Sequence, residues 1–199
     1  DEDLKGIAEL GQKIVDLYYS LENRPKGKSV SVSISVSTFV PKPFTPFQFE
    51  PQIEKEETER RQKVLKYSNT CKKVNLSWHD SSTSFLEGAF ARGDRRLCGV
   101  LESAFRKGCK FDGWNECFDL DKWSEAFKEN GIDPLFFSAR KREYDEINAW
   151  DHLDYGVTKE FLIKEHKKAL AAVTTPNCRE KCSACGAACY GEGVCFEKR

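Results

Sequence analysis

Apolar and polar residues alternate without a slip along one stretch of the chain, where Val30, Val32, Ile34 and Val36 are separated by Ser31, Ser33, Ser35 and Ser37. Successive side chains of a strand leave on opposite faces, so the run predicts a strand within 29–38 with one branched apolar face and one hydroxyl face. Ahead of it, Leu4, Ile7, Ala8, Ile14, Val15, Tyr18 and Leu21 recur at three- and four-residue steps. That period predicts an amphipathic helix over 3–22, with Asp1, Glu2 and Asp3 placed where the helix dipole favours acids. Arg24-Pro25-Lys26-Gly27 breaks the helix before the strand begins. Beyond the strand, Pro41, Pro43 and Pro46 cannot donate to a ladder, and they predict an extended, aromatic-lined loop.

Residues 53–68 predict a charged helix, acids first (Glu54, Glu56, Glu57, Glu59) and bases last (Arg60, Arg61, Lys63, Lys66), which suits its dipole. A short strand follows over 74–78. Helices are then expected at 84–92, at 95–107 ending at Gly108, at 120–130 ending at Gly131, and from Asp133-Pro134. Thr158 caps a last helix running to 172.

Two helix-and-strand pairs in succession, 3–22 with 29–38 and 53–68 with 74–78, make a β/α rhythm compatible with part of a parallel sheet or barrel. The expected fold class is therefore α+β: partial (β/α) barrel elements, then a mainly helical C-terminal region, then a Cys-rich tail. The expected divisions are 1–80, 81–172 and 173–199. In a barrel the serine face would be the lumen face. The Pro-rich exit would then lie at the C-terminal rim, where barrel sites assemble.

Composition narrows the function classes. The chain has 199 residues, 39% of them hydrophobic, with 14 Phe and 4 Trp, enough for a packed core. Its 32 basic and 32 acidic side chains cancel, which argues against a general electrostatic grip on nucleic acid or on an anionic membrane. No apolar leader or long apolar span is present, and nine cysteines leave one thiol unpaired in any disulfide scheme. A reducing, cytoplasmic setting is the expectation. There is no Met, so the N-terminus is expected to arise from processing or truncation.

The strongest chemical signal is the run Cys178-Arg-Glu-Lys-Cys182-Ser-Ala-Cys185-Gly-Ala-Ala-Cys189, with Cys195 behind it. Four thiols within twelve residues, spaced by three, two and three positions, can turn inward on one metal centre. Spacing leaves zinc and an iron–sulfur cluster equally open. Elsewhere Arg92, Arg95 and Arg96 surround Gly93 near a helix start, where amides and guanidinium forks suit phosphate or carboxylate; a solvated turn with Asp94 as cap is the rival reading. His79 beside Asp80, and His152 between Asp151 and Asp154, place an imidazole next to carboxylates and could make a general base or an oxygen-rich metal site, although most such histidines are structural. His166, at helical spacing between Leu162 and Leu170, reads as a packing residue. The four Trp read as core anchors.

The segment Ser35-Val-Ser-Thr-Phe-Val-Pro-Lys-Pro-Phe-Thr-Pro-Phe-Gln48 resembles the region after the central strands of a cobalamin-binding-domain-containing radical SAM family. Trp78-His79-Asp80, Phe85-Leu86-Glu87, Arg92-Gly93-Asp94-Arg95-Arg96, Gly108-Cys-Lys-Phe-Asp112-Gly113-Trp114 and Trp150-Asp-His-Leu-Asp154-Tyr-Gly156-Val157 resemble its C-terminal landmarks in the same order, as does the Cys-rich ending. The pattern departs at Phe44, where the family commonly has His.

The resemblance implies a C-terminal fragment of a radical SAM enzyme that completes the barrel, contributes substrate-pocket and auxiliary metal-site residues, and is inactive alone. SAM and cobalamin would belong to the full-length parent only, and the remainder of that enzyme is the implied partner. Substrate-binding candidates are Ser35, Ser37, Lys42, Thr45, Arg92, Arg95 and Arg96; no catalytic residue is assigned. Cys178, Cys182 and Cys185 also match the Cys-x3-Cys-x2-Cys spacing of a SAM-cluster loop. The family places that loop after the first barrel strand, so Cys178, Cys182, Cys185 and Cys189 are expected to hold an auxiliary or structural iron–sulfur cluster or zinc instead. The alternatives are a noncatalytic zinc-stapled RNA- or protein-binding module and a small iron–sulfur electron carrier.

Overall fold

The alternating run does form a strand, and its partner is the second expected one. β1 (Val32–Val36) lies parallel to β2 (Val74–Trp78), with Val32 opposite Val74, Ile34 opposite Leu76 and Val36 opposite Trp78. The same register sets Ser33 opposite Asn75 and Ser35 opposite Ser77. The computed structural model describes residues 1–191. They divide into two compact units, one of Asp1–Phe39 with Ile53–Leu86, the other of Val40–Gln52 with the described residues from Glu87 onward. The fold mixes helix and sheet and is mostly helical: among the described residues there are seven α-helices and one two-stranded parallel sheet.

In the first unit, α1 (Glu2–Ser20) packs on α2 (Lys55–Ser68) and on both strands. Gly11 allows the close approach, because a Cβ there would stand 2.9 Å from Ile34 Cδ1 and 3.0 Å from a Val74 methyl. Ala8, Val15, Leu65 and Val74 form the buried core of this unit. The apolar faces of the strands are turned into it. Ser31, Ser33, Ser35, Ser37, Asn75 and Ser77 are all exposed.

α3 (Ser81–Ala91) carries the chain into the second unit, where α4 (Leu97–Arg106) packs on α5 (Leu120–Glu129). Both of these helices stop at a left-handed glycine, Gly108 with φ +90° and Gly131 with φ +63°, a conformation that closes the last turn cheaply only without a Cβ. Asp119 caps α5 by accepting from the Asp121 and Lys122 amides. Val100, Ala104, Ala126 and Phe127 are buried between them, with the Phe90 ring edge-on to Trp123 at 5.4 Å. α6 (Leu135–Ser138) is short, and α7 (Lys159–Leu170) begins where the Thr158 hydroxyl accepts from the Phe161 amide at 3.2 Å. No helix among the described residues is long and apolar enough to cross a membrane.

Two local expectations are corrected. The Pro-rich loop is not extended throughout, since Pro46–Phe49 is a 3₁₀ turn. Pro46 sits at its first position, where a missing N–H costs nothing; the turn is held by the Gln48 amide donating to the Thr45 carbonyl and the Glu50 amide to the Phe47 carbonyl, each at 3.0 Å, and the Thr45 hydroxyl donates to the Lys42 carbonyl at 2.8 Å just ahead of it. The four Trp do not share one role. Trp123 and Trp150 are buried, whereas Trp114 is 63% exposed.

Candidate functional site

The first unit offers a polar ribbon. Parallel pairing brings the β1 serines beside Asn75 and Ser77 of β2, and the Asn75 amide donates to Ser31 Oγ at 3.0 Å. The result is a row of small hydroxyl and carboxamide groups on an open face, suited to hydrogen-bonding a ligand without filling the space above it. Ser35 and Ser37 belong to this row. Near the start of the strands, Lys73 donates to Ser29 Oγ at 2.6 Å and the Tyr19 hydroxyl lies 3.2 Å from the same oxygen. Hydrogen bonds from Ser29 and then Lys73 lower the Tyr19 phenol below its ordinary range. No sequence signal pointed to Tyr19, whose partners come from other elements.

The second unit contains the remaining candidates. Lys42 forms an exposed ion pair with Glu87. Phe44 adopts φ +59°, unusual for a side chain of its size, and its ring meets Tyr155 edge-on with 3.9 Å between centroids. Its amide donates to Gln48 Oε1 at 2.9 Å, and Trp150 Nε1 donates to the same oxygen at 2.9 Å. One buried carboxamide thus holds the Pro-rich loop to the segment around Trp150.

Arg92 is 1% exposed. Its guanidinium donates to the carbonyls of Glu50 (2.7 Å), Ser138 (3.1 Å), Gln48 (3.3 Å) and Arg140 (3.4 Å). These donors are turned into the protein, away from any anion in solvent. Burial, and then the charges of Arg142 and Arg140, push its pKa down to about 10, so it stays protonated at neutral pH. Arg142, also buried, donates to the Arg92 carbonyl at 3.0 Å and to Asn148 Oδ1 at 2.9 Å. Arg95 and Arg96 are exposed. Arg96 pairs with Asp94 at 2.7 Å and lies 5.1 Å from the centroids of both the Phe136 and Phe137 rings. The three arginines therefore do not act as one cluster: one faces the core and two face water.

His166 is fully buried, with Nδ1 2.8 Å from the Tyr144 hydroxyl and Nε2 3.0 Å from Glu50 Oε1. His79 and His152 are exposed, and their acidic neighbours have structural work. Asp80 accepts from the Ser82 and Thr83 amides at the start of α3, and Asp151 from Lys159 and the Asn148 amide.

In the tail, Cys178, Cys182 and Cys189 are exposed and Cys185 is half-buried. The Ala184 amide donates to Cys182 Sγ at 3.4 Å, and the Thr158 amide to the Cys185 carbonyl at 3.0 Å. Among the described residues no three His, Cys, Asp or Glu side chains stand together as a metal-ligand group. Cys195 lies outside the described residues. Thiols are the donor type that a soft metal takes, but the described structure does not bring three of these cysteines to one point. Comparison with family models, with curated proteins and with solved structures gave no match for this chain.

Proposed function

We propose that this chain is the C-terminal part of a radical SAM enzyme, supplying late barrel strands, a substrate-facing polar wall and a metal-bearing tail. The observation that carries the reading is the β1–β2 ribbon. Parallel sheets are ordinarily covered on both faces, yet here α1 covers one face while the other presents serines, Asn75 and Ser77 to solvent. Among the described residues each strand also has one unpaired edge, a feature that proteins usually cover or blunt. A slice of a (β/α) barrel has these properties, with its open face directed to the lumen and its edges to neighbouring strands. The resemblance of Ser35 to Gln48 and of the downstream landmarks supplies the enzyme class.

In this reading Ser35 and Ser37 bind substrate groups from the lumen side. Cys178, Cys182, Cys185 and Cys189 hold the auxiliary metal, zinc or an iron–sulfur cluster, whose role in this chain is to fix the tail. Reductive cleavage of SAM belongs to strands and a cluster upstream, as does any use of cobalamin. Arg92 shapes the second unit from within. The direct test is to reconstitute the isolated chain anaerobically with iron and sulfide, add SAM and a strong reductant, and assay 5′-deoxyadenosine. None is expected; its formation would overturn the division of labour.

A further inference from the structure

Cations crowd the end of the first unit at which both strands begin. Because β1 and β2 are parallel, the segments leading into them lie side by side, and Val32 donates its amide to the Lys73 carbonyl at 2.8 Å. The stretches 18–31 and 71–75 hold Arg24, Lys26, Lys28, Lys72 and Lys73 against a single carboxylate, Glu22. Lys73 is half-buried and the other four cations are exposed. Among the described residues none of the five has a carboxylate oxygen within 4.0 Å, whereas exposed arginines elsewhere do, as Arg60 has Glu57 and Arg106 has Glu102. The C-terminal end of α1 contributes about half a negative charge here, and Arg24 answers it by donating to the Tyr19 carbonyl at 2.6 Å. With Glu22 counted as well, an excess of roughly three to four positive charges remains. In a chain whose charges otherwise cancel, that is a concentrated local field.

Within this field several donors meet. Ser29 Oγ accepts from the Lys73 ammonium at 2.6 Å and lies 3.2 Å from the Tyr19 hydroxyl. The Arg24 guanidinium and the Lys73 ammonium stand 5.3 and 5.5 Å from the centroid of the same Tyr19 ring. An ammonium has three N–H donors, and among the described residues Lys73 gives its one hydrogen bond to a neutral oxygen. Its charge is left unanswered. The lowered Tyr19 phenol, caused by hydrogen bonds from Ser29 and then Lys73, is a second sign that negative charge is favoured at this point.

We propose that Lys73, Ser29, Tyr19 and Arg24 form a binding site for a phosphate monoester. Such a group carries nearly two negative charges at neutral pH and three acceptor oxygens, which suit two cations and two hydroxyls gathered around one ring. A phosphodiester strand calls instead for cations spaced along a groove that follows its backbone. The site lies where the strands begin, whereas Ser35 and Ser37 lie towards the other end of β1, so it stands or falls separately from the barrel reading.

The test is a titration of the whole ¹⁵N-labelled chain near neutral pH with glycerol 3-phosphate, followed by amide shifts. Saturation at one ligand per chain is expected, with the shifts centred on Ser29 and Lys73. Lys73→Gln should weaken binding about tenfold or more, the effect of losing a charged hydrogen bond, and Ser29→Ala by severalfold. Lys164→Gln, on α7, should leave it unchanged, and the amide spectrum of each variant reports whether its fold is kept. Vesicles containing phosphatidic acid present the same group on a lipid. Binding to them alone would keep the site and assign its ligand to a headgroup, and binding of the free ester assigns a soluble one. Oligouridylate bound without either monoester would overturn the assignment. So would equal affinity in Lys73→Gln and the parent chain, or shifts that never saturate.

Discussion

Arg92 donates to the carbonyl of Glu50 across 2.7 Å, and through that bond and three others a single guanidinium fastens the Pro-rich loop and the segment after α6 to α3. Planar, multiply donating and weakly hydrated, arginine suits this task where lysine does not. Replacing Arg92 by Met should strand the carbonyls of Gln48, Glu50 and Arg140, while that of Ser138 keeps the Gln52 amide, and should cost about 3–5 kcal/mol, the range for removing one member of a buried charged network. Arg92→Lys should recover only part of it. Denaturant midpoints compared at constant m measure both.

Trp150 and Phe44 share one acceptor, Gln48 Oε1. Trp150→Phe removes the indole donor and keeps most of the ring, so the expected loss is about 1–2 kcal/mol. Gln48→Leu should cost more, because it abandons two donors at once. Thermal melts of the two variants against the parent chain decide the order.

Glu146 should govern part of the acid limb of stability. Hydrogen bonds from Arg140, then the charges of Arg140 and Arg142, hold its carboxyl below the ordinary 4.5. A folded-state pKa below the unfolded one contributes stability that is complete above about 4.5 and is lost as pH falls through the folded value. Glu146→Gln should therefore be less stable than the parent near neutrality and converge with it in acid. Parallel curves over that range would contradict the assignment.

Ser35→Val and Ser37→Val test the polar wall separately from the fold. Both sites are exposed on the open face, so each change should alter the stability of this chain by no more than about 0.5 kcal/mol. In the longer radical SAM enzyme proposed above, the same changes should weaken substrate binding strongly. Equal turnover and KM in the variants would remove these serines from the wall.

The elements were legible because their signals are local. The Val/Ser alternation fixed β1 and its faces, Gly108 and Gly131 marked helix ends, and Thr158 marked the start of α7. His166 packs as its spacing suggested, although its partners Tyr144 and Glu50 come from distant segments. Arg92 shows the opposite case. Its neighbours Gly93 to Arg96 suggested an exposed anion site, whereas its fate depends on carbonyls at residues 48, 50, 138 and 140. No window of sequence contains that information. The same holds for Gly186, whose need for a missing Cβ is set by Gly156.

The most direct measurement of the central claim is SAM cleavage by a longer protein, the account predicting that this chain is preceded by further encoded residues, made with any such extension ahead of Asp1 and reconstituted anaerobically with iron and sulfide. The extension should carry a Cys-x3-Cys-x2-Cys loop, and the longer protein should form 5′-deoxyadenosine from SAM under reduction while this chain alone forms none. An extension without such a loop, or a longer protein inert toward SAM with its cluster in place, would contradict the claim.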